Sequence, residues 1–83
     1  MPTTLEDTIA LMQSDDFKDR FKAEYYQLKI RYTKLREMVE KLDNGTLSFK
    51  PACPRDVFIT QLSCMERYMV TLEHRAELER IEL

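Results

Sequence analysis

Phe21, Tyr25, Leu28, Tyr32, Leu35, Val39 and Leu42 recur at spacings of 4-3-4-3-4-3, and that pattern leaves the stretch around residues 15–43 little choice of structure. A strand would send such positions to both faces of a sheet, whereas a helix gathers them into one stripe. Three unbroken repeats describe a coiled-coil-like seam on a long helix. A second seam follows, with Phe58, Leu62, Met65, Met69, Leu72 and Ala76 spaced 4-3-4-3-4. Between them, "DNGT" stops the first long helix, with Gly45 suited to a left-handed terminal position, and "TLSFKPACP" cannot be helical near Pro51 and Pro54. Two long helices joined by a loop of roughly ten residues pack antiparallel.

Upstream, Thr3 or Thr4 can cap a short helix, Thr3 and Glu6 having capping-box spacing, with Leu5, Ile9 and Met12 as its apolar stripe. Ser14 is the expected cap of the second helix, with Asp15 and Asp16 near the positive end of its dipole. The fold expected is all-α: one domain over residues 1–83, with helices at about 4–13, 15–43 and 54–81 and a loop at about 44–53. Leu47 and Phe49 are expected to fold back over the end of the hairpin.

Charge gives an independent check on the pairing. Flanking the seam, the second helix carries Lys22, Lys29 and Arg36, and the third carries Ile59, Glu66, Glu73 and Arg80. Antiparallel packing brings Lys29 and Arg36 towards Glu66, Lys22 and Lys29 towards Glu73, Glu24 towards Arg75, and Arg31 towards Tyr68. Each exposed ion pair contributes only about 0–1 kcal/mol, so such pairs set orientation more than stability. Residues 18–36 carry a net +5, against −4 over residues 1–17 and −3 over 37–83, so a basic end remains after pairing.

A two-helix hairpin hides only its inner seam, and further apolar residues need partners. Leu78 and Ile81 are expected to meet Leu5, Ile9 and Met12 as the first helix returns. Ala23, Tyr26 and Ile30 lie on the outer face of the second helix, which has no evident partner within the chain. Exposed apolar patches of this kind mark association, so Ala23, Tyr26 and Ile30 are the expected interface of a homo-oligomer.

The residue inventory offers no chemistry for catalysis. His74, the one histidine, sits between Glu73 and Arg75 at an outward position, and no metal-spaced cluster, glycine-rich phosphate loop or nucleophile motif is present. The expectation is a non-enzyme without cofactor or metal. Cys53 and Cys64 lack the spacing of metal ligands and are expected to be reduced thiols. A composition of 43% hydrophobic and 34% charged residues excludes a mostly disordered chain, and a formal charge of −2 argues against general binding to DNA or an anionic membrane. No apolar run approaches the ~18 residues of a membrane span, and "MPTTLEDTIALM" has acids where a signal peptide is basic, so a cytoplasmic location is expected.

A binding site is the better expectation. Lys22, Tyr26, Lys29, Thr33 and Arg36 follow 4-3-4-3 spacing and line one stripe of the second helix. A tyrosine among cations can stack on a base while the cations hold phosphates.

"EYYQLKIRYTKL", "NGTLSFKPACP" and "QLSCMERYMVTLEHRAELE" with its short "IEL" end resemble a family of small phage and prophage proteins related to a crAss-phage product, over about residues 20–83. At the level of architecture the chain is also similar to the anti-CBASS and anti-Thoeris sponges, phage-encoded helical proteins that assemble as oligomers and sequester cyclic nucleotide immune signals. Their own sequence pattern is absent here, so no binding residue transfers. The resemblance implies a phage-encoded, non-enzymatic immune-evasion protein that oligomerises and sequesters a small cyclic nucleotide, in the host cytoplasm. The alternative is an inhibitor or adaptor that docks a host or phage protein through its outer helical face, with the tyrosines as anchors. A third reading, DNA binding through the basic end, fits the net acidic charge poorly.

Overall fold

The computed structural model describes residues 1–83 and is all-helical. A 3-10 turn at Glu6–Thr8 runs into a short helix, α1 (Ile9–Met12); the long helices are α2 (Phe17–Asn44) and α3 (Arg55–Glu79). α2 and α3 form the antiparallel hairpin, and the molecule is rod-like, 43 × 24 × 18 Å. Both heptad seams are where the spacing places them. Phe21, Tyr25 and Val39 of α2 and Leu62, Leu72 and Ala76 of α3 are buried, and the remaining seam residues are half-buried. The densest core is at the end away from the loop, where Phe21, Tyr25, Tyr26, Leu72, Ala76 and Ile81 pack together.

The helix ends show why the elements stop where they do. Asp16, rather than Ser14, caps α2: its carboxylate accepts the Lys18 N–H at 3.0 Å, while Ser14 Oγ accepts the Asp16 N–H and donates to Asp19. At the other end Gly45 takes φ +77°, a left-handed conformation that would cost a side-chain-bearing residue roughly 1–2 kcal/mol. Asp43 and Arg55 then clamp the loop with two bonds of 2.7 and 2.9 Å. Leu47 folds back half-buried, but Phe49 stays 57% exposed.

α3 ends at Glu79, two residues earlier than the sequence suggests. Arg80 adopts a left-handed φ of 56°, and the Ile81 N–H bonds the Ala76 carbonyl at 2.8 Å. This turn swings Ile81 into the core beside Tyr26, which stabilises by about 1.5–3 kcal/mol and offsets the strain at Arg80. Leu78, left on the outside, is 71% exposed.

The N-terminal segment departs most from expectation. Its cap is a reciprocal Thr4–Asp7 pair, one residue later than Thr3–Glu6: Thr4 Oγ1 accepts the Asp7 N–H, and the Asp7 carboxylate accepts the Thr3 and Thr4 N–H groups. These bonds hold the Asp7 carboxyl below its ordinary range. The segment packs on α2, and neither its 3-10 turn nor α1 contacts α3, so the expected pairing of Ile9 and Met12 with Leu78 does not form. Its inward residues are Leu5, Thr8 and Leu11, whereas Ile9 and Met12 are nearly half exposed. That spacing of three is the period of the 3-10 turn with which the segment begins. Thr8 is fully buried: its hydroxyl donates to the Leu5 carbonyl at 2.6 Å and accepts from Gln27 Nε2 at 2.9 Å.

Candidate binding groove

The cross-hairpin partners expected from charge are not the ones that form. Tyr25 donates to Glu73 at 2.6 Å, Tyr32 donates to Glu66, and Tyr68 of α3 donates to Glu24 of α2. Arg75 pairs with Glu79 at 3.0 Å and lies over the Phe21 ring, not against Glu24. Arg36 lies over the Tyr32 ring and makes a long 3.8 Å contact with Glu40. Tyrosine wins this competition for a physical reason. Its ring is already ordered by packing in the seam, so the hydroxyl reaches the flanking carboxylate at little further entropic cost, whereas a lysine must order four torsions.

The three phenols respond as neutral donors to carboxylates should, each pushed to higher pKa. Tyr25 moves furthest, to about 12, first through burial and then through Glu73; Glu66 and Glu24 raise Tyr32 and Tyr68. Because the folded pKa of Tyr25 lies above the ordinary value of 10.0, its contribution to stability is complete below pH 10 and is lost as pH rises towards 12. Thermal melts across that window should show a falling midpoint, and Tyr25→Phe should flatten the fall; an unchanged pH profile in that variant would assign it elsewhere.

With Glu66 and Glu73 engaged by tyrosines, Lys22 and Lys29 are left without an ion-pair partner, and Lys34 has none either. Two of them, Lys29 and Lys34, line a groove of about 440 Å³ between the outer face of α2 and the residues Met1, Pro2 and Thr3. Tyr26, Ile30, Thr33 and Glu37 complete it. The volume lies in the range of small-molecule sites. Thr33 donates its hydroxyl proton to the Lys29 carbonyl, leaving its oxygen lone pairs towards the groove. The thiols lie elsewhere: Cys53 and Cys64 are free, half-buried and exposed respectively.

Of the predicted stripe, the structure brings Tyr26, Lys29 and Thr33 together at this groove; Lys22 and Arg36 do not line it. Tyr26 is placed differently from expectation. Its residue exposure is 4%, its ring belongs to the core and packs edge-on against Tyr25 at 5.2 Å, so no ring face is open for stacking on a base. What it can offer is its hydroxyl, which has no partner in the chain and is not sealed from solvent. Ala23, at 2%, is likewise buried within one chain, and Ile30 is half-buried. The outer face expected to be unpartnered is covered by the protein's own N-terminal segment. The stripe does not include Lys34 and Glu37, which directly follow its members Thr33 and Arg36, or Met1–Thr3, whose position depends on the fold-back of the N-terminus.

A family model described as Sequestin matches residues 15–78. The chain belongs to the Sequestin family. The Sequestin match spans α2, the loop and nearly all of α3, so the α2 wall of the groove lies inside it and the Met1–Thr3 wall outside. No curated protein and no solved structure matches the chain. None of its helices is long and apolar enough to cross a membrane.

Proposed function

We propose that this Sequestin-family protein is a phage-encoded, non-enzymatic sponge that holds a small cyclic nucleotide of host immune signalling in the groove between α2 and Met1–Thr3. The observation that carries the reading is the freedom of Lys29, whose expected partners Glu66 and Glu73 are engaged by Tyr32 and Tyr25, beside Lys34, which has no ion-pair partner either. Two unpaired ammonium groups on adjacent turns suit a phosphodiester, which is anionic at neutral pH. The Thr33 oxygen and the Tyr26 hydroxyl can bond ribose or base edges, while Ile30 and Pro2 give the base an apolar bed. Glu37 accepts a donor and disfavours a densely charged anion, which selects a singly charged phosphodiester over a free polyphosphate. The family name is in keeping with a sequestering role.

The adaptor reading has lost the face from which it started, because the N-terminal segment covers Ala23 and Tyr26. Native mass spectrometry on protein purified from cells that carry a cyclic-nucleotide defence system tests the proposal. Added mass equal to a nucleotide, released on denaturation, is the expected result; uniformly bare protein from signalling cells would count against it.

A further inference from the structure

Ile30, Lys34, Glu37 and Lys41 follow 4-3-4 spacing, so a single stripe of α2 carries the wall of the groove one turn further, towards the loop. There a second hollow of about 420 Å³ opens between the stripe and loop residues Thr46, Leu47, Ser48 and Phe49. Lys34 and Glu37 line both hollows, so the two adjoin.

The course of the loop at this second hollow is fixed by its own hydrogen bonds. Once Gly45 has turned the chain, the Lys41 carbonyl accepts the N–H groups of Thr46 and Leu47 at 2.9 and 3.2 Å. Asn44 Oδ1 accepts the Thr46 N–H at 3.1 Å. Half-buried Met38 and Leu47 supply an apolar lining, and Phe49 lines the same hollow with 57% of its surface exposed. Lys41 is exposed and, like Lys34, has no ion-pair partner, because the neighbouring acids Glu40 and Asp43 pair with Arg36 and Arg55. Glu37 stands between Lys34 and Lys41 on the stripe, bridges to neither, and can offset only one of the two charges. The second hollow therefore repeats the chemistry of the first, with one addition: an open aromatic ring, which the buried Tyr26 does not offer the groove.

We infer that the two hollows form one extended site, in which Lys41 and Lys34 hold a second phosphate and the Phe49 ring stacks on a second base. The ligand class is then a cyclic dinucleotide, with two phosphodiesters and two bases, and not a cyclic mononucleotide, which has one of each and fills only the first hollow. Lys29 and Lys41 lie about 18 Å apart along the helix with Lys34 between them, and their flexible stems let the outer two converge on a ligand spanning both hollows. This inference rests on the nucleotide reading of the groove and extends it.

Calorimetric titration with cyclic AMP and with cyclic di-AMP tests it. Cyclic di-AMP is expected to bind at least tenfold more tightly. Phe49→Ala and Lys41→Ala should each weaken cyclic di-AMP about tenfold, the scale of one stacked base or one charged hydrogen bond, and leave cyclic AMP unchanged. Lys50→Ala, next to Phe49 but outside the hollow, should bind both as before. Lys41, Phe49 and Lys50 are exposed, so circular dichroism and melting temperature should hold in every variant. Cyclic di-AMP bound no more tightly than cyclic AMP, or indifferent to both Phe49→Ala and Lys41→Ala, overturns the second subsite and leaves the groove reading intact. If the unaltered protein binds neither nucleotide, the groove reading fails and the extension falls with it.

Discussion

Leu72→Ala is expected to remove about 2–5 kcal/mol of folding stability, a large fraction of what an 83-residue domain has. Leu72 is the largest fully buried side chain, 1% exposed, and stands in the one dense core cluster with Phe21, Tyr25, Tyr26, Ala76 and Ile81. Truncation there would leave a cavity bounded by three aromatic rings, which cannot collapse into it without giving up their own contacts. In urea, where small domains have slopes near 1 kcal/mol per molar, the unfolding midpoint should fall by roughly 2 M or more. Val57→Ala, at a half-exposed site, should change stability by no more than about 0.5 kcal/mol. Comparable losses at the two sites would mean that the hairpin seam is not the core.

Removing the two free cations is expected to have the largest effect on binding. Lys29→Ala should weaken nucleotide binding about tenfold, and Lys29→Ala/Lys34→Ala about a hundredfold or more, since a hydrogen bond to a charged group contributes about 1.5–3 kcal/mol and each 1.4 kcal/mol is tenfold. Both lysines are exposed and outside every ion pair, so melting temperature should hold steady. Lys22→Ala, one stripe position away from the groove, is the control and should bind normally. Isothermal titration calorimetry with a cyclic dinucleotide measures all four proteins. Equal affinity in the double variant would detach Lys29 and Lys34 from the site.

The seam was legible because apolar spacing is a property of one helix at a time: a period of 3.5 marks the buried face whatever lies opposite. The contacts across the seam were not, because facing columns name neighbours without saying which donor takes a carboxylate. The spacing marks Tyr25 and Tyr32 as seam residues alone, yet a phenol has an apolar body for the seam and a hydroxyl for its rim. That dual character leaves Lys29 unpaired and gives the groove its charge. The N-terminal segment departs from its pattern for a different reason: a 3-10 start changes the rotation per residue, so Leu5, Thr8 and Leu11 face inward where an α-helical period selects Leu5, Ile9 and Met12. Its course over α2 is fixed in part by a polar contact, Gln27 to Thr8, that no periodicity announces. Three of the five stripe residues line the groove, and the wall that closes it comes from a segment that the stripe does not include.

The most direct test of the groove is a titration of ¹⁵N-labelled protein with a panel of cyclic mono- and dinucleotides, followed by backbone amide shifts. Binding as proposed predicts saturable shifts for at least one ligand at Thr3, Lys29, Ile30, Thr33 and Lys34, with the outer face of α3 unmoved. Saturable shifts confined to another face, or none at millimolar ligand across the panel, would contradict it.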